Sequence, residues 1–306
     1  MSELRQVYAE TVKELAEKDQ RVVLLEADLS SSMSTAGLKE VMGERYINVG
    51  IMEAQEVGAA AGLSVTGHIP FVHTFVPFIT RRSFDQVFVS LGYAQNHAIL
   101  VGSDVGVTAE MNGGTHMSFE DLALMRVIPN ITIYEVSEPE QFRKILHHCY
   151  ENKGLYYIRT MRKSAPKLTD QPSDLNLGYR ELKKGQKGTI ISSGFLLPEC
   201  MAAAEELTAK GFDVSVIELF NIKPINKQMV IEAAKLGPIV TVDNHSIIGG
   251  IGSAVAEVVA EEQPTKMKRL GVTEKFGQVG KADYLKEQYG MTASDIVTAM
   301  EKLLTV

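Results

Sequence analysis

The sequence has no block of basic residues, almost no cysteine and no long apolar run. Across 306 residues, 31 Lys and Arg stand against 38 Asp and Glu, for a net charge of -7. A nucleic-acid partner would need a clustered Lys/Arg face, so none is expected. No apolar run approaches the roughly 18 residues of a membrane span, so no membrane is expected either. The opening segment, MSELRQVYAETVKELAEK, reads as an amphipathic helix with mixed charges. A secretory signal would show an apolar core of about 7–15 residues there. The expected location is the cytoplasm. The two cysteines, Cys149 and Cys200, have neither metal-ligand spacing nor the numbers for a disulfide framework. They read as buried thiols, and no metal site is expected on this chain.

What is present is the composition of a globular protein, 45% apolar and 23% charged. The length suits two domains at roughly 100–200 residues each. Short apolar runs at Val22–Asp28, His97–Asp104, Ile131–Val136 and Leu155–Thr160 suit strands buried on both faces of a parallel sheet. Helical stretches at Glu53–Thr66 and Gln141–Glu151 lie between them. A polar segment, Ser164–Gly178, with Pro166 and Pro172, reads as a linker. Alternation then resumes with strands at Gly188–Gly194, Asp213–Leu219 and Pro238–Asn244. Helices are expected at Glu199–Lys210, Lys227–Leu236 and Gly252–Glu262. The expectation is an α/β protein of two consecutive open, mostly parallel-sheet domains. The first spans 1–166 and the second 185–306, with a linker at 167–184. The glycine-rich turn before the last of these helices could hold an anion or simply allow close packing.

Three segments could carry chemistry. Glu53 begins a helix of Ala, Gly and Val, where close packing would strip water from its carboxylate. Proton sharing is one reading; an ordinary acid in the first turn of a helix is the other. Phe71, Phe75, Phe78 and Phe84 follow, as core or as a platform for a flat ring. The run DVGVTAEMNGGTH, Asp104–His116, follows a strand end, where parallel sheets usually form their ligand crevice.

The ordered pieces ADLS (Ala27–Ser30), GIMEAQE (Gly50–Glu56), HTFVPF (His73–Phe78), GGTH (Gly113–His116) and LALMRVIPN (Leu122–Asn130) resemble the pyrimidine-binding domain of transketolase. IKPIN (Ile222–Asn226) and DNHSIIGGIGSAVAE (Asp243–Glu257) are similar to the family's C-terminal domain. The resemblance runs from about Leu4 to the end of the chain. It implies the thiamine-diphosphate pyrimidine-binding fold followed by the transketolase C-terminal fold. The family grips the diphosphate and Mg²⁺ through a Gly-Asp-Gly element, and that tripeptide does not occur here. The implied enzyme is therefore a split transketolase, with the missing domain on an N-terminal partner subunit that binds the Mg²⁺. Thiamine diphosphate would be shared between the subunits of an α₂β₂ assembly.

The resemblance also implies roles. Glu53 would hydrogen-bond the pyrimidine ring nitrogen, Phe78 would stack on the ring with Phe75 as a wall, and Asp28 would lie near the cofactor. His116 would contact donor hydroxyls and assist proton movement. Arg5, Ser32 and Arg162 fall on phosphate-contacting positions. The chain departs from the family at Glu110, Met111, Asn112, Asp104 and Arg81. Asn112 stands for an aspartate that contacts a substrate hydroxyl, Asp104 for a histidine at the phosphate end, and Arg81 for an aromatic. An acid at position 104 would repel a phosphate unless its charge is countered. An unusual ketose phosphate or another anionic sugar is therefore open as substrate. Rival readings are a half of deoxyxylulose-phosphate synthase, a 2-oxo-acid dehydrogenase β subunit, or a non-catalytic assembly subunit.

Overall fold

The computed structural model describes residues 3–163 and 166–305, in two compact units. One comprises Met1–Val105 and Leu124–Ala165, the other Gly106–Ala123 and Pro166–Val306.

The first unit opens with α1 (Leu4–Lys18), capped reciprocally by the Glu3 and Gln6 side chains. Its strands are β1 (Val22–Glu26), β2 (Tyr46–Asn48), β3 (Ile69–Phe75), β4 (Ala98–Ser103), β5 (Ile131–Glu135) and β6 (Leu155–Thr160). Helices α2 (Leu38–Met42), α3 (Glu53–Val65) and α5 (Pro139–Glu151) separate them, and α4 (Asp121–Arg126) enters the unit at Leu124. The strands run in the order β5-β6-β4-β3-β1-β2, and every pair is parallel. β1, β3, β4 and β6 are buried at every position, as a sheet covered on both faces requires. Because the strands are parallel, their carboxyl ends share one edge. That edge carries Asp28, Phe75, Asp104 and Arg162, each at or just past a strand end. After β3 the chain makes two wide π-helical stretches, Phe78–Arg82 and Gln86–Tyr93. Such i→i+5 turns concentrate at functional sites.

The second unit holds β7 (Tyr179–Lys183), β8 (Thr189–Ser192), β9 (Ser215–Leu219), β10 (Asn221–Lys223), β11 (Ile239–Ser246) and β12 (Met267–Val272). Five of these form a sheet in the order β12-β11-β8-β9-β7. Among the described residues, the edge pair β7–β9 alone in this sheet is antiparallel. Helices α6 (Leu197–Ala209), α7 (Lys227–Leu236), α8 (Ile251–Glu261), α9 (Ala282–Tyr289) and α10 (Ala293–Leu304) complete the unit. Both units are α/β with mostly parallel sheets, as the sequence implied.

The details differ in places. Tyr179–Lys183, expected within the linker, is the edge strand β7, half-buried along much of its length. Ser164 and Ala165, at the start of the linker reading, lie outside the described residues. The stretch Gly106–Ala123 belongs to the second unit, although its sequence falls within 1–166. The glycine-rich turn before α8 already has its anion. The Ile251 amide donates to Asp243 Oδ2 at 2.6 Å, and a Cβ on Gly250 would come within 2.1 Å of that oxygen. The glycine therefore admits the protein's own carboxylate to the helix N-terminus.

Candidate functional site

Glu53 is the first residue of α3, where the helix dipole favours a carboxylate. It is 2% exposed, as its small-residue helix led us to expect. Arg82, at the end of the first π-helical stretch, donates from Nη1 to Glu53 Oε1 at 2.6 Å. The same guanidinium lies 3.9 Å from the centroid of the Phe78 ring. Phe78 and Phe75 are neighbours, with centroids 6.0 Å apart. Arg162 sits over Phe75, with its guanidinium carbon 5.6 Å from the ring centroid. Arg162 Nε donates to Asp104 Oδ1 at 2.7 Å. A continuous run of contacts thus crosses the carboxyl edge of the first sheet, from Glu53 through two aromatic rings to the Asp104–Arg162 pair.

The register explains this convergence. Phe75 pairs with Ser103 and Ser103 with Thr160, so the ends of β3, β4 and β6 are level. Asp104 adopts a left-handed φ of 61°, and Asp28 one of 63°. Asp is among the few non-glycine residues that tolerate this region, and it bends each chain away from its strand. Asp28 is exposed and tied to Asn48, which donates to its Oδ1 at 3.2 Å and accepts from its amide at 3.1 Å. Asn48 Oδ1 also accepts from the Gly50 amide at 2.9 Å, fixing the approach to α3. Ser32 is half-buried in a turn, its amide bonded to the Leu29 carbonyl. Arg5 pairs with Glu3 at 2.6 Å, and its amide donates to the Arg162 carbonyl at 3.1 Å. Arg5 and Arg162, the two arginines expected at phosphate-contacting positions, are therefore neighbours, each with a carboxylate partner.

Beneath the edge lies a buried polar layer that the sequence reading did not single out. Glu26 and His73 pair across β1 and β3, and His73 Nδ1 meets Glu26 Oε2 at 3.1 Å. His73 Nε2 meets Ser103 Oγ at 3.0 Å, and the Thr35 hydroxyl donates to Glu26 Oε1. Glu26, His73 and Ser103 are all fully buried, so this acid–histidine–serine row ties strands together and exposes no nucleophile. Glu56, three residues after Glu53 on the same helical face, is also fully buried. Neither of its carboxylate oxygens has a hydrogen-bond partner among the described residues. Burial, with Glu26 and Glu53 nearby, pushes its pKa well above the carboxylate range, so it is held neutral. The signal in the sequence was the Glu-x-x-Glu spacing. Arg82 was also missed. Its neighbour Arg81 drew notice as a departure, yet it is Arg82 that reaches Glu53.

His116 and Asn112 belong to the second unit and are described within it. The loop carries left-handed backbone at Glu110 (φ 44°) and Gly113 (φ 70°). Gly114 meets the 277 loop so closely that a Cβ would lie 2.3 Å from the Gly277 carbonyl oxygen. His116 is half-buried, with Nδ1 2.8 Å from the Thr115 hydroxyl, and Asn112 is exposed.

The first-unit residues fit a thiamine pyrimidine. Glu53 offers a carboxyl at a helix start and Phe78 an aromatic face beside it. The planar guanidinium of Arg82 already makes both kinds of contact, a hydrogen bond to the one and a stack on the other.

A family model described as transketolase, pyrimidine binding domain, matches residues 1–167, and one described as transketolase, C-terminal domain, matches 178–296. The chain belongs to the transketolase family. It is 42% identical over 302 residues to the 6-deoxy-6-sulfo-D-fructose transketolase subunit SqwH of Clostridium sp. (strain MSTE9), covering 98% of this chain and 94% of that one. It is 31% identical to the transketolase of Rattus norvegicus, but spans only 49% of that protein. A solved structure described as a split gene transketolase, inactive beta4 tetramer, superposes with a TM-score of 0.88 at 36% identity, covering 99% of this chain and 98% of the other. The transketolase from Campylobacter jejuni shares the fold, with a TM-score of 0.84 at 19% identity over 46% of its length. Transketolase-family membership implies use of thiamine diphosphate. No described helix is long and apolar enough to cross a membrane.

Proposed function

We propose that this chain is the C-terminal subunit of a two-chain transketolase, transferring a two-carbon ketol unit between anionic sugars. The observation that carries the reading is the Glu53 carboxyl, buried at the start of α3 beside the Phe75–Phe78 pair, on the carboxyl edge of a parallel sheet. The partner would be an N-terminal subunit that grips the diphosphate and Mg²⁺, because the chain has no Gly-Asp-Gly. Its likeness to a relative described as a transketolase subunit and to a structure described as a split gene transketolase supports the split.

Bound thiamine diphosphate supplies the carbon nucleophile of such a reaction. Glu53, protonated, would hold the pyrimidine ring nitrogen. Phe78 and Phe75 would flank the ring and keep water from it. Asp28 would lie near the cofactor. His116 would bind donor hydroxyls and move a proton at the reacting carbons, with Asn112 beside it. Arg5, Ser32, Asp104 and Arg162 would meet the substrate's anionic end. The sulfofructose named for the Clostridium relative makes a sulfonated ketose one candidate donor alongside the ketose phosphates.

The experiment is co-production with an N-terminal subunit carrying the diphosphate-binding domain. Ketol transfer from an anionic ketose to an aldose is then measured with thiamine diphosphate and Mg²⁺. Absence of transfer from any anionic ketose, or turnover of pyruvate instead, would sink the reading.

A further inference from the structure

At the Arg162 end of the contact run, two arginines each have a carboxylate partner. Arg162 is bonded to Asp104 at 2.7 Å, and Arg5, joined to Arg162 through the backbone, is bonded to Glu3 at 2.6 Å. Two cations therefore stand with two carboxylates. The Asp104 side chain is 3% exposed, so it cannot turn into solvent and leave Arg162 uncompensated. The Arg162 contact with Asp104 uses Nε, so the two terminal nitrogens of the fork are not spent on it. Those nitrogens lie at the carboxyl edge of a parallel sheet, one aromatic ring away from Phe78 and Glu53. A ligand that reached both ends would put an anionic group there.

We propose that Asp104 and Arg162, with Glu3 and Arg5, form a charge-compensated anion subsite that selects a singly charged sulfonate over a doubly charged phosphate. The proposal rests on the reading that this crevice takes an anionic ketose. Its physical basis is how the energies scale with charge. The cost of stripping water from an anion grows with the square of its charge. Attraction to a neutral ion pair grows only in proportion to the charge. The repulsion from a fixed carboxylate also doubles for the dianion. A phosphate monoester carries about −1.5 to −2 near neutrality, whereas a sulfonate carries one charge. An arginine without its carboxylate would reverse the preference, because full attraction would then offset the dianion's desolvation. Position 104 is where the transketolase resemblance led us to expect a histidine, which would leave Arg162 uncompensated.

The test uses the assembled two-chain complex and a matched pair of ketoses, fructose 6-phosphate and 6-deoxy-6-sulfofructose. Equilibrium binding of each is measured alongside turnover. The wild type is expected to bind the sulfonate at least about tenfold more tightly, a difference of about 1.4 kcal/mol. Asp104→Asn should move that ratio toward the phosphate by about tenfold. Asn suits the left-handed backbone at this position, so the variant should fold. Glu3→Gln, at the half-buried partner of Arg5, should move the ratio in the same direction by less. Equal or tighter binding of the phosphate by the wild type overturns the proposal. So does a ratio that neither variant changes, and so does failure of both sugars to bind. Selective sulfonate binding without ketol transfer would refute the proposed reaction while supporting the subsite.

Discussion

Arg82 and Glu53 form a 2.6 Å ion pair in which the carboxylate is buried and the guanidinium is 46% exposed. This contact occupies the very carboxyl that the proposed chemistry turns toward the pyrimidine. A pyrimidine that seeks both Glu53 and the face of Phe78 must compete with Arg82 for each. Arg82→Ala is therefore expected to tighten thiamine diphosphate binding by the assembled enzyme several-fold, as read by calorimetry. Weaker binding in the variant would show that Arg82 supports the cofactor instead of competing with it.

Removing the acid itself should act on the chemistry. Glu53→Ala, in a correctly assembled complex, is expected to lower kcat by orders of magnitude while changing substrate KM little. That pattern marks an interaction made in the transition state. Circular dichroism would check that the fold survives, and a kcat near that of the wild type would remove Glu53 from the mechanism.

Glu56 should make stability depend on pH. Its folded-state pKa is raised, so the folded chain holds a proton that the unfolded chain releases above the ordinary carboxylate range. Stability should therefore be unaffected by this group at low pH and fall as pH rises from that range toward the raised value. Glu56→Met removes both the proton uptake and two unpartnered buried oxygens. It should stabilise the chain at neutral pH by at least about 1 kcal/mol, the low end for a buried polar group without a partner. The gain should shrink as pH falls from the raised value toward about 4.5 and change no further below it. Thermal melts from pH 4 to 8 measure this, and an equal or lower Tm for the variant at neutral pH would contradict it.

Assembly offers a separate check. The isolated chain is expected to bind thiamine diphosphate weakly and to be inactive, and with its partner subunit to form an α₂β₂ complex. Closed two-fold assemblies are the commonest solution for oligomers. Light scattering gives the mass, and a fully active 1:1 pair would count against the tetramer. Tight Mg²⁺-dependent cofactor binding by the chain alone would count against the split active site.

The strands that were legible in the sequence were those with uninterrupted apolar character, such as Leu155–Thr160, which matches β6 residue for residue. β3 was not read as a strand, because a histidine and a threonine interrupt the apolar run of IPFVHTF. In the fold both are fully buried, and the histidine is satisfied by Glu26 and Ser103. β7 was missed because YRELK is mostly polar, as an edge strand with one solvated side can be. In the site, residue type and spacing left Glu53 and the phenylalanines with two readings each, and the resemblance to transketolase supplied their roles. The partners of Glu53 and Asp104 were not legible. Arg82 is 29 residues from Glu53 and Arg162 is 58 from Asp104, and sequence offers no rule for which distant opposite charges meet. The counter-charge required of Asp104 was nonetheless anticipated in kind, if not by name.

The Glu26–His73–Ser103 row has a mechanical consequence. β1, β3 and β4 carry the turns that present Asp28, Phe75 and Asp104, and the row links them through side chains as well as through the backbone ladder. A strand cannot slip or open without breaking a fully buried hydrogen bond, and that leaves an unsatisfied polar atom. The floor beneath the crevice therefore yields as one slab. Opening that admits a cofactor must come from the overlying turns, and amide hydrogens along the three strands should exchange together and far more slowly than those of residues 78–93.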